Sequence, residues 1–330
     1  SRGLGDVYKR QVSPDGTRLY ASEWNTDKVS EIDTGTLLEL RTFTVGTQPM
    51  GLAISSTGTR VYVAVNQANA VQVINADSHT LGASITVGTG PISVALTPDG
   101  SNLFVANYTS NNVSVIATAS GTVTDTIAIG AGTNPYGIAV NPAGTRVYVT
   151  RYGDGKATTI DAIAKAILGS AISVGTQPWA VAVTPDGTRV LVTNSGSNTV
   201  SVIDASSNTV LQNVSISNTP TGVAITPNGA QAWVTRNGTT LVSILDLGLQ
   251  PGGSAAEQVP RAPMQQFPVP PGTAAADCAA LAPDSVDWPG IASQHAAAWG
   301  LSYAEWPNDH SGGWVCSRQP YWIGPGWAVR

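Results

Sequence analysis

Three histidines, two cysteines and a scatter of carboxylates are the groups with which this chain of 330 residues can attempt metal, nucleophilic or acid–base chemistry. His79 falls on a loop between strand-like runs, and His295 and His310 fall near the C-terminal end. No histidine or carboxylate cluster of the kind that holds a catalytic metal is evident. Asp309-His310-Ser311 has the residue types of a hydrolytic triad, but they are consecutive, and a triad needs side chains that converge in space beside an oxyanion hole. Asp33, Asp161, Asp204 and Asp246 each follow a strand-like run at the same place in a recurring pattern, where an aspartate caps the next turn through its own backbone. No residue is therefore assigned to catalysis, and no cofactor or metal is expected. Cys278 and Cys316 read as a disulfide closing a loop of about forty residues, which stabilises by roughly 4 kcal/mol in the chain-entropy model and needs an oxidising compartment. Two unpaired buried thiols are the alternative.

The recurring pattern carries more information than any of these groups. Turn glycines stand at Gly16, Gly58, Gly100, Gly144, Gly187 and Gly229, so successive copies are 42, 42, 44, 43 and 42 residues apart. In residues 178–217 the apolar run Ala180-Val181-Ala182-Val183 is followed by Pro185-Asp186-Gly187, in which proline presets φ and glycine accepts a positive φ. Thr188 to Val192 then doubles back, Thr199-Val200-Ser201-Val202-Ile203 alternates at period two, and Val210 to Ile216 makes a fourth strand before Pro220 opens the next copy. Four strands per unit of this length predict an all-β propeller with antiparallel four-stranded blades. Tyr20, Tyr62, Phe104, Tyr148, Leu191 and Trp233 share one pleat position and are expected to fill the space between blades.

Tyr62-Val63-Ala64-Val65-Asn66, Tyr148-Val149-Thr150 and Leu191-Val192-Thr193-Asn194 resemble the signature of the YVTN family of β-propeller repeats, known from archaeal surface-layer proteins and bacterial secreted or periplasmic propellers. The resemblance covers residues 12 to about 249 and implies a scaffold rather than one activity. Six blades are visible, and the analogy implies about seven in the parent protein. Residues 1–11, with Asp6-Val7-Tyr8-Lys9-Arg10-Gln11, resemble a translated sequencing-adapter end and read as foreign to a metagenomic fragment. On that reading the first blade lacks its inner strand, and the last copy ends near Asp246 without a clear fourth strand.

Charged residues make up only 11% of the chain, the net charge is −5, and no lysine or arginine lies between Arg60 and Arg146. Nucleic-acid binding needs clustered cations along the phosphates, so it is excluded, and no run is long and apolar enough to span a membrane. Residues 250–276 form a Pro-rich linker, and residues 277–330 a module with both cysteines and six of the nine tryptophans. Its aromatics suit either stacking on cell-wall sugars or the core of a tiny cystine-tied domain. What remains is one end of the propeller channel, where the outer-to-inner and second-to-third strand loops gather Tyr108, Tyr136, Arg151, Tyr152, Trp179 and Arg236. Rigid aromatics and arginine make a recognition surface at low entropic cost. The expectation is a non-catalytic extracytoplasmic scaffold that binds a protein, glycan or small ligand there. The alternatives are a propeller enzyme resembling lactonases or lyases, and a structural surface-layer subunit.

Overall fold

The structure, a computed structural model, describes residues 7–239 and 241–248, all of them strand, turn or loop. They form six antiparallel sheets set as blades of a propeller. Strands are lettered a to d from the axis outward. Blade 1 comprises Val7–Val12, Arg18–Glu23, Lys28–Asp33 and Glu39–Thr44; blade 2, Pro49–Ile54, Arg60–Val65, Ala70–Asn75 and Thr80–Thr86; blade 3, Pro91–Leu96, Asn102–Asn107, Asn112–Ala117 and Thr122–Ala128. Blade 4 comprises Pro135–Val140, Arg146–Arg151, Lys156–Asp161 and an outer strand broken into Ala166–Ile167 and Ile172–Ser173. Blade 5 comprises Pro178–Val183, Arg189–Asn194, Thr199–Asp204 and Thr209–Ser215, and blade 6 Pro220–Ile225, Gln231–Arg236 and Val242–Asp246. The a strands of consecutive blades pack side by side from blade 1 to blade 6, which places them around the axis.

Local chemistry explains the hairpins. The a–b turn glycines adopt φ between 70° and 75°, and Gly16 N–H donates to the Ser13 carbonyl at 2.8 Å. Within the same turn the Asp15 carboxylate accepts from Ser13 Oγ at 2.5 Å and from Thr17 N–H at 3.1 Å. The aspartates after strand c close the c–d turns as expected: Asp33, Asp161 and Asp204 each accept two backbone N–H groups at 2.8–3.1 Å. Asp246 accepts Gly248 N–H at 2.9 Å.

Between blades the shared pleat position is buried as its residue types demand, with Tyr20, Tyr62, Phe104, Tyr148 and Leu191 all at 3% exposure or less. Trp233 is only partly buried: by strand alternation it lies on the face of blade 6 opposite Ala232 and Val234, which pack against blade 5. Charge enters these interfaces at Arg189, whose Nη1 donates to Leu247 O at 2.8 Å between blades 5 and 6, and at Glu31. Glu31 is 1% exposed where the register of blades 2, 3 and 5 puts Val73, Val115 and Val202. Arg18 Nε and Arg41 Nε each approach it to 3.2 Å, and His79 Nδ1 reaches across from blade 2 to 3.6 Å. Burial, reinforced by the Glu31 charge, pushes the Tyr20 hydroxyl up to about 12.

Two expectations need amendment. The sheet begins at Val7 and not at Val12, and the stretch read as foreign supplies strand a of blade 1, with Arg10, Gln11 and Val12 opposite Ala21, Tyr20 and Leu19. Backbone N–H and C=O groups make the ladder, so a strand position is filled by any segment that can extend beside its neighbour. The register shifts between Val7 and Lys9, where the other a strands carry their proline entry. Blade 6 has three strands among the described residues, in line with the reading of the last copy. The linker 250–276, the module 277–330 and the pairing of Cys278 with Cys316 lie outside the described residues.

Candidate functional site at the channel mouth

Each a strand from blade 2 onward starts with proline at one end of the channel: Pro49, Pro91, Pro135, Pro178 and Pro220. The residue before it turns the chain inward with a left-handed backbone, at φ 61° for Gln48, 67° for Gly90, 47° for Asn134, 51° for Gln177 and 41° for Thr219. In four of the five its N–H is caught by a side chain from the b–c loop of the preceding blade; at Gln177 the matching loop position is Gly155, which has no side chain. Gln48 donates to Asp27 Oδ1 at 3.0 Å, Gly90 to Asn69 at 2.9 Å, Asn134 to Asn111 at 2.9 Å and Thr219 to Asn198 at 2.8 Å. Its carbonyl accepts from the residue just beyond strand b of its own blade, as in Tyr108 N–H to Gly90 O at 2.9 Å and Tyr152 N–H to Asn134 O at 3.1 Å. Four of these five entry loops are thus tied both to their own blade and to a neighbour, and the mouth is built rigid.

Four of the six predicted residues meet there. Tyr136 and Trp179 are the second residues of the a strands of blades 4 and 5, while Tyr108 and Tyr152 follow the b strands of blades 3 and 4. Tyr136 lies 4.4 Å from Trp179, 5.8 Å from Tyr152 and 6.0 Å from Tyr108, centroid to centroid. Tyr152 is 6.0 Å from Trp179 and 6.2 Å from Tyr108. These are the separations of rings in tilted and edge contact. Tyr136 is 9% exposed and forms the floor; the other three are half-buried and packed against the core cluster of blades 2 and 3. Desolvation, with the Tyr152 phenol nearby, raises the Tyr108 hydroxyl above its usual range, so it stays a neutral O–H donor near neutrality.

The closeness of Tyr136 to Trp179 has a backbone cause. A Cβ on Gly137 would stand 2.4 Å from Trp179 O, so only glycine lets the two a strands approach this far. Thr150 Oγ1 fastens them, accepting Gly137 N–H at 2.7 Å and donating to Trp179 O at 3.0 Å. Thr193 repeats the clip between blades 5 and 6, and Ser22 between blades 1 and 2.

The two arginines do not join the rings. Arg151 pairs with Asp154 through Nη2 and through Nε at 3.1 Å, and its Nη1 reaches Thr158 at 3.4 Å. Arg236 is 6% exposed and donates to Ser217 Oγ at 2.8 Å. Both close strand b, where blades 3 and 5 carry Asn107 and Asn194, and those amides also bond into their own blade, to Ser114 and Ser201 at 2.9 Å. Consecutive residues of an extended strand diverge, so Arg151 points along the blade while Tyr152 turns to the axis. The Asx pins were missed in sequence, although Asn69, Asn111 and Asn198 each precede their pre-proline partner by 21 to 23 residues. Among the described residues no three His, Cys, Asp or Glu side chains gather in a manner fit to hold a metal ion.

No curated protein matches this chain. The family profile described as "Lactonase, 7-bladed beta-propeller" matches residues 28–135, from strand c of blade 1 to the start of blade 4. Among solved structures, hydrazine synthase from Kuenenia stuttgartiensis superposes with a TM-score of 0.66 at 23% identity, covering 74% of this chain and 78% of that one. A functionally unknown protein from Desulfotomaculum acetoxidans DSM 771 gives 0.63 at 21% identity over 69% and 74%. A catalytically inactive virginiamycin B lyase from Staphylococcus aureus, solved with quinupristin, gives 0.61 at 18% identity over 71% and 78%. At these identities the likeness speaks for architecture alone, and with the six radial sheets it makes this chain a β-propeller protein.

Proposed function

We propose that this propeller is a ligand-binding scaffold whose recognition surface is the aromatic cluster at the channel mouth, and that it does no chemistry on what it binds. One observation carries the reading: three half-buried rings and a buried fourth, contributed by three blades, are gathered on one rigid surface. Aromatic side chains with few rotatable bonds give large contact area at small entropic cost, which is why they dominate binding hot spots. We also take the chain to be extracytoplasmic, a reading supported by the pairing expected for Cys278 and Cys316; peptide mapping under non-reducing conditions that finds both thiols free removes that support.

The test is a surface-immobilised full chain screened against small molecules, peptides and oligosaccharides, with Trp179→Ala in parallel. The expected result is at least one binder that the variant loses, with no turnover of it. A second reading, a hydrolytic propeller, is favoured by the lactonase profile over residues 28–135. Steady turnover of a lactone panel by the purified protein decides for that reading and against the scaffold.

A further inference from the structure

Resting on the scaffold reading, the inference concerns the class of ligand that suits this surface. The rings touch one another. With Tyr136 and Trp179 at 4.4 Å and every other measured pair within 6.2 Å, the space between them is occupied by the rings themselves. A cation cage works otherwise, with rings standing apart so that an ammonium fits among their faces. The cluster is a filled platform, and a ligand lies on it rather than within it.

The surroundings of the platform are polar and electrically balanced. Arg151 is neutralised by Asp154, and Arg236 is buried against Ser217, which leaves neither guanidinium to meet a phosphate or a carboxylate. The groups at its border are amides and phenols. Asn134 and Gln177 stand two residues ahead of Tyr136 and Trp179, held inward by their left-handed backbones. Gln177 is exposed, and among the described residues its carboxamide and the hydroxyls of Tyr108 and Tyr152 make no hydrogen bond. Amides and phenols both donate and accept, as sugar hydroxyls do.

We infer that the mouth binds a neutral saccharide, whose apolar C–H face lies on Trp179 with the Tyr152 ring standing beside it as a wall, 75° away in plane, and whose hydroxyls are met by Gln177 and the Tyr108 and Tyr152 phenols. A pyranose presents such a flat apolar face with hydroxyls around its edge, matching an aromatic platform with an uncharged polar rim. A nucleic-acid base also stacks on rings, but its phosphates need cations that this rim does not offer.

Affinity electrophoresis of the full chain through gels containing hydroxyethylcellulose, galactomannan or dextran tests the inference, with calorimetry on decaproline and tetramethylammonium for comparison. The expected result is retardation by at least one neutral polysaccharide that persists in about 0.5 M salt, because no ion pair is involved. Trp179→Ala and Tyr152→Ala are expected to weaken it about tenfold or more, equivalent to about 1.4 kcal/mol. Trp179→Phe retains most of the binding by keeping a ring, Leu211→Ala on the outer strand of blade 5 leaves it unchanged, and melting curves show that each variant is folded. Trp179-dependent binding of decaproline or tetramethylammonium without any retardation overturns the saccharide assignment while leaving the scaffold reading intact. Retardation that Trp179→Ala does not diminish overturns both, since the sugar is then held elsewhere on the chain. Failure of all the polysaccharides and both comparators to bind overturns the saccharide assignment.

Discussion

Two residues without aromatic character decide whether the platform exists. Gly137 admits the backbone of blade 5 to a distance that any β-carbon blocks, and the buried Thr150 hydroxyl bridges the two inner strands at that point. Gly137→Ala forces a methyl against a backbone oxygen, which cannot swing aside as a side chain does, so blades 4 and 5 must part. The expected loss is about 1–3 kcal/mol of stability, comparable with overpacking in a core. Thr150→Val keeps the shape but leaves Gly137 N–H buried without a partner, costing about 1–3 kcal/mol. Thr150→Ser preserves the hydroxyl and should melt close to wild type. Thermal unfolding followed by circular dichroism measures all three, and an unchanged midpoint for both Gly137→Ala and Thr150→Val would show that the strands are not held together here.

At the scale of the element, the turns are acid-sensitive fasteners. The Ser13 hydroxyl, with Thr17, holds the Asp15 carboxyl down at about 2, and in the same way Thr97 and Ser101 depress Asp99. Asp33 is lowered chiefly by Thr36 N–H and Asp204 chiefly by the Ser206 hydroxyl. A carboxyl whose folded pKa lies below its unfolded value of about 3.9 contributes stability above that value and loses it as pH falls through the folded pKa. Stability should therefore be level near neutrality and decline between about pH 4 and pH 2. Asp15→Asn and Asp99→Asn lower the plateau and flatten the decline, which urea titrations at stepped pH resolve; a decline of equal steepness in the double variant refutes the assignment. These turns were readable in the sequence because Pro-Asp-Gly-Thr and the c–d aspartates act within a few residues of themselves. The blade arithmetic was readable because the turns recur in register. Arg151 and Arg236 lie off the rings because a place at the end of strand b indicates which end of the channel a residue reaches but not which way it faces. Tyr152 and Arg151 are neighbours in sequence, and strand alternation sends them apart. Strand a of blade 1 was missed for a related reason: its pairing is made by backbone, and VYKRQV carries neither the proline nor the small apolar residues that mark the other a strands.

At the scale of the whole molecule, the blades stand in sequence around the axis and each is stabilised mainly by the neighbours it packs on, much as in a linear repeat array. Blade 3 meets neighbours on both faces, and its b and c strands are almost wholly buried. Blade 6 is different: its a strand has only Pro220 buried, Val242 is 44% exposed, and Trp233 and Ile244 are only partly covered on the face away from blade 5. Local opening free energy follows buried contact, so protection should fall along the ring toward blade 6. In native-state hydrogen exchange on the full chain, amides of strands b and c in blades 3 and 4 should be the slowest, those of blade 6 the fastest, and blade 5 between them. The platform draws its rings from blades 3, 4 and 5 and none from blade 6, so fraying of blade 6 reaches it indirectly, through the contacts that blade 5 makes with blade 6, among them the Thr193 clip to Thr221 and the packing of Ala232 and Val234. Saturating ligand on the rings should slow exchange in blades 4 and 5 and leave blade 6 as fast as before. Equal protection across all six blades would mean that the ring opens as one unit, and that the mouth owes none of its rigidity to its position within it.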